Sequence, residues 1–244
     1  MFRNFSLRSA SFWIVLAFAI WIVTFWDFLT GKLSLIDDAT SYYEHTKFFV
    51  ENLAQGIFPL WDPFWHSGTS NDFFLRRIGS FNPLYLLMVG LKAIGVPYQF
   101  AYLGSITAYY WGGMIGFYLL VMRIYNNRFL AYAGYLILLF SALGTRLFDS
   151  YMMLVTVPII WFFYFLTAFS QAPKKYLFLG IVLSFMILMG TYIPFYFLFF
   201  LGIFLVCFTL FYIKQLPVIL GRYINFLKTN KLLVALSIVD VWSL

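Results

Sequence analysis

"YQFAYLGSITAYYWGGMIGFYLLVM", Tyr98 to Met122, runs for 25 residues without a charged side chain, and Arg123 closes it. A bilayer core about 30 Å thick takes roughly 20 apolar residues of helix to cross. This stretch is long enough, so it reads as a membrane span. The same reading extends outward. Apolar runs also cover roughly 11–29, 129–146, 150–169, 175–191 and 192–213. A last helix is expected to begin near Lys231, and the run to Leu244 is too short to span. The chain therefore reads as the N-terminal part of something longer.

The composition points the same way. The chain is 63% hydrophobic and 10% charged, with mean hydropathy +0.87 and 32 Phe, 18 Tyr and 8 Trp. A soluble domain carries about 25% charged residues. The expected fold is all-α: one polytopic transmembrane helix bundle over residues 1–244. The net charge of +7 fits Lys and Arg in cytoplasmic loops better than a nucleic-acid partner. Cys207 is the single cysteine, so there is no disulfide framework. Arg3 and Arg8 before Ser11–Phe28 mimic a signal peptide. No small-residue cleavage site follows, however, and Trp13, Trp21 and Trp26 lie inside the run. An uncleaved first helix is expected.

Phe81 to Gly95 is apolar but short, and Asn82-Pro83 opens it. It either spans or lies along the interface. Charge separates the two cases. If it does not span, ten of the 16 Lys and Arg face inward and six outward; if it spans, the division is eight and eight. The first topology obeys the positive-inside rule. It puts the N-terminus in the cytoplasm and residues 30–97 outside, as one large loop.

That loop collects the polar chemistry. Asp27, Asp37, Asp38, Glu44, Glu51, Asp62 and Asp72 lie in or beside it, with His45 and His66, and only Asp149 and Asp240 lie elsewhere. Ser41-Tyr-Tyr-Glu44 fits a capping box, so a helix is expected from near Ser41. Glu44, Lys47, Glu51 and Gln55 fall on one face of it, with Tyr42, Thr46, Phe49 and Leu53 opposite. Gly56 ends it. Asp37 and Asp38 precede this amphipathic helix. They read either as a general base or metal ligand, or as charges satisfying a helix start. His66 near Asp62 and Asp72 lacks a recognisable ligand spacing. Arg76 and Arg77 suit a phosphate or lipid head groups equally. Arg146 and Asp149 are spaced to pair with each other. Tyr and Phe within the spans read as packing and lipid contact.

One pattern is more specific. After the first span come the acidic pair, the amphipathic helix, Gly56-x-x-Pro59-Leu60-Trp61-Asp62-Pro63, Gly68-Thr69 and Phe81-Asn-Pro-Leu-Tyr-Leu-Leu87. Over roughly residues 10–200 this resembles the bacterial YfhO-like membrane proteins and, more broadly, the GT-C glycosyltransferases. The resemblance implies a multi-pass bacterial inner-membrane enzyme. It would move a sugar from a polyprenyl-phosphate donor to an extracytoplasmic glycolipid or cell-envelope polymer. It also implies that Asp37 or Asp38 is the catalytic base or a metal ligand. The chemistry then asks for cations at the phosphate. Arg76, Arg77 and Arg146 are the candidates, and a divalent metal is the alternative. Family members are usually longer, with more spans. The rival functions are a transporter or flippase of a lipid-linked glycan, and a non-catalytic scaffold. The nearly charge-free spans weigh against transport.

Overall fold

The computed structural model describes residues 7–32, 38–63, 68–70, 82–141, 150–190 and 194–235. Apart from one small hairpin, these residues form helices joined by turns, so the fold is all-α. The first run breaks at Phe25 into α1 (Leu7–Thr24) and α2 (Trp26–Leu29). The amphipathic segment is α3 (Asp38–Ala54). It begins three residues before the expected Ser41 cap, so Ser41 lies inside the helix. Its end is as expected, with Gly56 at φ +78° turning the chain out of the helix. The hairpin pairs β1 (Trp61–Asp62) with β2 (Thr69–Ser70), antiparallel, Trp61 opposite Ser70 and Asp62 opposite Thr69.

Asn82 and Pro83 then start α4 (Pro83–Ala93). The Asn82 side chain accepts a hydrogen bond from the Leu84 amide at 3.0 Å, and Pro83 takes the first helical turn. Eleven residues rise only about 16 Å, too little to cross a bilayer alone. The long charge-free stretch is α5 (Tyr98–Tyr125), closed by Asn126 in the left-handed conformation. Next come α6 (Arg128–Leu139), α7 (Ser150–Gln171, with Pro158 inside), α8 (Lys175–Met189) and α9 (Pro194–Tyr212). Helix α6 stops at Leu139, short of the expected 146, and Phe140 caps it. Helices α5 and α7 are long and apolar enough to cross a membrane.

One element was not foreseen. The segment after α9 reads as a loop in sequence but forms α10 (Leu216–Thr229), with a further helical stretch at 231–235. Its apolar residues recur at the helical period, a signal the sequence carried.

The bundle is centred on α5 and α7, with α6 and α4 against α5 and α8 against α7. Small residues let these helices approach. A Cβ at Gly113 would meet Val157 Cγ2 at 2.6 Å, and one at Gly180 would meet the Phe165 ring at 2.6 Å. Close glycine contacts of this kind serve helix pairs that have no hydrophobic effect between them. Tyrosine hydroxyls supply the cross-links. Tyr135 donates to the Ile14 carbonyl at 3.0 Å, joining α6 to α1, and Tyr110 donates to the Leu139 carbonyl at 3.2 Å. These tyrosines add a second role to aromatics that read mainly as packing and lipid contact. Their ring bodies are apolar, but their hydroxyls tie helix to helix.

The bonds from Tyr132 and Tyr135 to the Trp13 and Ile14 carbonyls set the middle of α1 beside α6. Helix α3 lies at the other end of α5, against Tyr98. The bundle is therefore polarised. Glu44, Glu51, Asp27 and Asp62 occupy the α3 end, while Arg123, Lys174 and Lys175 occupy the opposite end.

Candidate functional site

The α3 end is built on an amphipathic helix whose faces are those expected from its period. Thr46, Phe49 and Val50 are buried, whereas Glu44 and Gln55 are exposed. Phe49 packs edge-on to Tyr85 of α4 and to Phe58. Glu51 reaches Lys92 of α4 at 3.6 Å across a half-exposed surface, which contributes at most about 1 kcal/mol.

Beneath α3 lies a layer of hydroxyl-bearing side chains. Tyr98, Tyr102, Ser105 and Tyr109 recur along one face of α5. Tyr98 donates to the Tyr43 carbonyl at 3.0 Å, and the rings of Tyr98 and Tyr102 contact Tyr43. Tyr85 is buried among Tyr42, Tyr102 and Tyr109, with its phenol at the Thr46 hydroxyl. Burial raises the Tyr85 phenol well above its ordinary value, and the Thr46 hydrogen bond offsets only part of that. Burial also raises Tyr43, and the neighbouring Glu44 and Glu51 carboxylates add to the effect. Among the described residues, the buried Ser105 Oγ has no hydrogen-bond partner. Sequence reasoning missed this layer. Its signal was available, because the spacing of Tyr98, Tyr102, Ser105 and Tyr109 follows a helical face.

The Pro59–Thr69 block explains its own residue types. Gly68 sits at φ +99° with the Trp61 indole against it, and a Cβ there would lie 2.7 Å from Trp61 Cζ2. A side chain there would be strained at that φ and would have to push the exposed Trp61 ring aside. Asp62, on the paired strand, is 5% exposed and is the one buried carboxylate among the described residues.

An open apolar groove of about 360 Å³ runs between α1, α2 and α5. Phe18, Leu29, Phe100, Leu103 and Trp111 line it, and Gly104 and Ala108 leave it wide. The Thr107 hydroxyl on its wall is already bonded to the Leu103 carbonyl at 2.8 Å, so the lining offers little to a polar ligand. Phe18 stacks on Trp111 with ring centroids 4.9 Å apart. Leu29 brings the groove to the last turn of α2, just ahead of residues 33–37.

Of the sequence-selected site residues, Asp38 is the first residue of α3, a position that suits either reading of the acidic pair. Asp37, Arg76, Arg77 and Arg146 lie outside the described residues, as do His66, Asp72 and Asp149. Among the described residues, no three His, Cys, Asp or Glu side chains gather as a metal site. Compared with family models, curated proteins and solved structures, the chain matches none.

Proposed function

We propose that this chain is a polytopic membrane glycosyltransferase of the GT-C type, similar to the YfhO-like proteins. In this reading it moves a sugar from a polyprenyl-phosphate donor to an extracytoplasmic glycolipid or envelope polymer. The bundle crosses the bacterial inner membrane several times, with its N-terminus in the cytoplasm and the α3 end outside.

The observation that carries this reading is the groove. It is apolar, open along the bundle's flank, and reaches Leu29 in the last turn of α2, on the stretch of chain that leads in sequence to Asp37 and Asp38. A branched hydrocarbon tail in it would bring its phosphate to the acidic end of the molecule. There Asp37 or Asp38 accepts the acceptor hydroxyl's proton, and Arg76, Arg77 or Arg146 stabilises the phosphate that leaves. The charge polarity of the bundle supports the orientation, since Arg123, Lys174 and Lys175 would face the cytoplasm.

The test is sugar transfer from a polyprenyl-phosphate donor in membranes carrying wild type, Asp37→Asn or Asp38→Asn. Loss of transfer in one variant, with normal insertion, identifies the base. Undiminished transfer in both would remove the pair from the mechanism.

A further inference from the structure

Helix α10 is wider on its apolar side than the bundle needs. At about 100° per residue, Phe226, Ile219, Tyr223, Leu216, Leu227, Leu220 and Ile224 form one continuous arc of roughly 160°. Only one edge of that arc is covered. Phe226 is buried against Phe169 of α7 and Phe178 of α8, and the Tyr223 hydroxyl meets Ser170 Oγ at 2.7 Å. On the other edge Leu220 and Ile224 are each 50% exposed, and Leu227 is exposed as well.

The polar side of α10 has a single sign. Arg222 and Lys228 lie on the helix, with Lys214 before it and Lys231 after it, all exposed. Arg123, Lys174 and Lys175 are exposed at the same end of the bundle, which Gln171 ties together by donating to the Arg123 carbonyl at 3.3 Å. Among the described residues, no carboxylate lies in sequence beyond Asp62. Only three residues separate α10 from the end of α9, a 19-residue helix without a charged side chain. Its level is therefore the end of an apolar helix, where hydrocarbon gives way to head groups.

We infer that α10 is an interfacial helix: it seats its uncovered apolar edge in the leaflet at the basic end of the bundle, and anionic phospholipid head groups are its partner. An exposed apolar edge flanked by lysine and arginine is the pattern that binds anionic lipid surfaces. A soluble acidic protein would match the charge but would leave no reason for the edge to lie level with the end of α9. The inference rests on the membrane reading of the bundle but not on glycosyl transfer.

The experiment uses the full chain with Cys207→Ser, carrying one cysteine at Leu220, Ile224, Asn225 or Leu183. Each is labelled with a fluorophore and reconstituted into phosphatidylcholine vesicles with or without phosphatidylglycerol. Nitroxides placed shallow or deep on the lipid chains report depth. All four positions tolerate change, Leu183 being exposed on the flank of α8. The expected result is shallow quenching at 220 and 224, several-fold above that at 225, and deep quenching at 183. The shallow signal should grow with phosphatidylglycerol and lose that dependence in Lys214→Gln/Lys228→Gln. If 183 is quenched deeply while 220 and 225 are equally unquenched, α10 lies in solvent and the inference fails. Quenching at 220 that ignores both phosphatidylglycerol and the lysines overturns the anionic partner. No quenching at 183 overturns the membrane reading itself, and this inference with it.

Discussion

The Tyr98 phenol donates to the main-chain carbonyl of Tyr43 at 3.0 Å, joining the first turn of α5 to α3 across 55 residues of sequence. It pins the amphipathic helix over the hydroxyl layer. Tyr98→Phe keeps the ring contacts and removes only the bond, so the expected cost is about 1 kcal/mol. Amide exchange should quicken in α3 and stay unchanged in α8.

Gly180 of α8 faces the Phe165 ring of α7. Alanine there gains helix propensity of about 1 kcal/mol, but overpacking costs about 1–3 kcal/mol. Overpacking wins, because the new methyl would meet the Phe165 ring at 2.6–2.7 Å, and moving that ring breaks its stacking on Trp161. Gly180→Ala is expected to lower the unfolding temperature. Gly202→Ala in α9, where nothing lies within 4 Å of the new methyl, should not.

The Tyr85 and Tyr43 phenols both hold their protons above the ordinary value of 10.0. An unfolded chain releases those protons near that value, so above it the folded state binds more protons. Their contribution to stability is then constant below about pH 10 and falls as pH rises beyond it. Tyr85→Phe should make that fall shallower by about 1.4 kcal/mol per pH unit, as read from denaturant unfolding across alkaline pH.

Gly104 lines the groove, and nothing lies within 4 Å of a Cβ built on it. Gly104→Phe therefore fills the groove without disturbing the helix. If the groove holds the donor's tail, donor KM should rise on the order of tenfold, with unchanged thermal stability. An unchanged KM would place the tail elsewhere.

Sequence alone determined the long apolar helices and the faces of α3. Both follow from local rules: uninterrupted apolar length, and polar residues recurring at the helical period. It also grouped Glu44, Glu51 and Asp62 near one segment, and the fold holds them together at the α3 end. The cap at Ser41 failed, since a capping-box motif does not fix a helix start when the chain upstream can also be helical. The residues between Lys214 and Lys231 already carry the helical period of α10, and only the fold shows that Phe226 buries one edge of it against α7 and α8. Likewise, no local pattern announces the groove between Phe18, Leu29 and Trp111, or the pairing of Tyr98 with Tyr43. Those depend on which helices become neighbours. That choice is made by glycines such as Gly113 and Gly180, whose partners are far away in sequence and close only in the folded bundle.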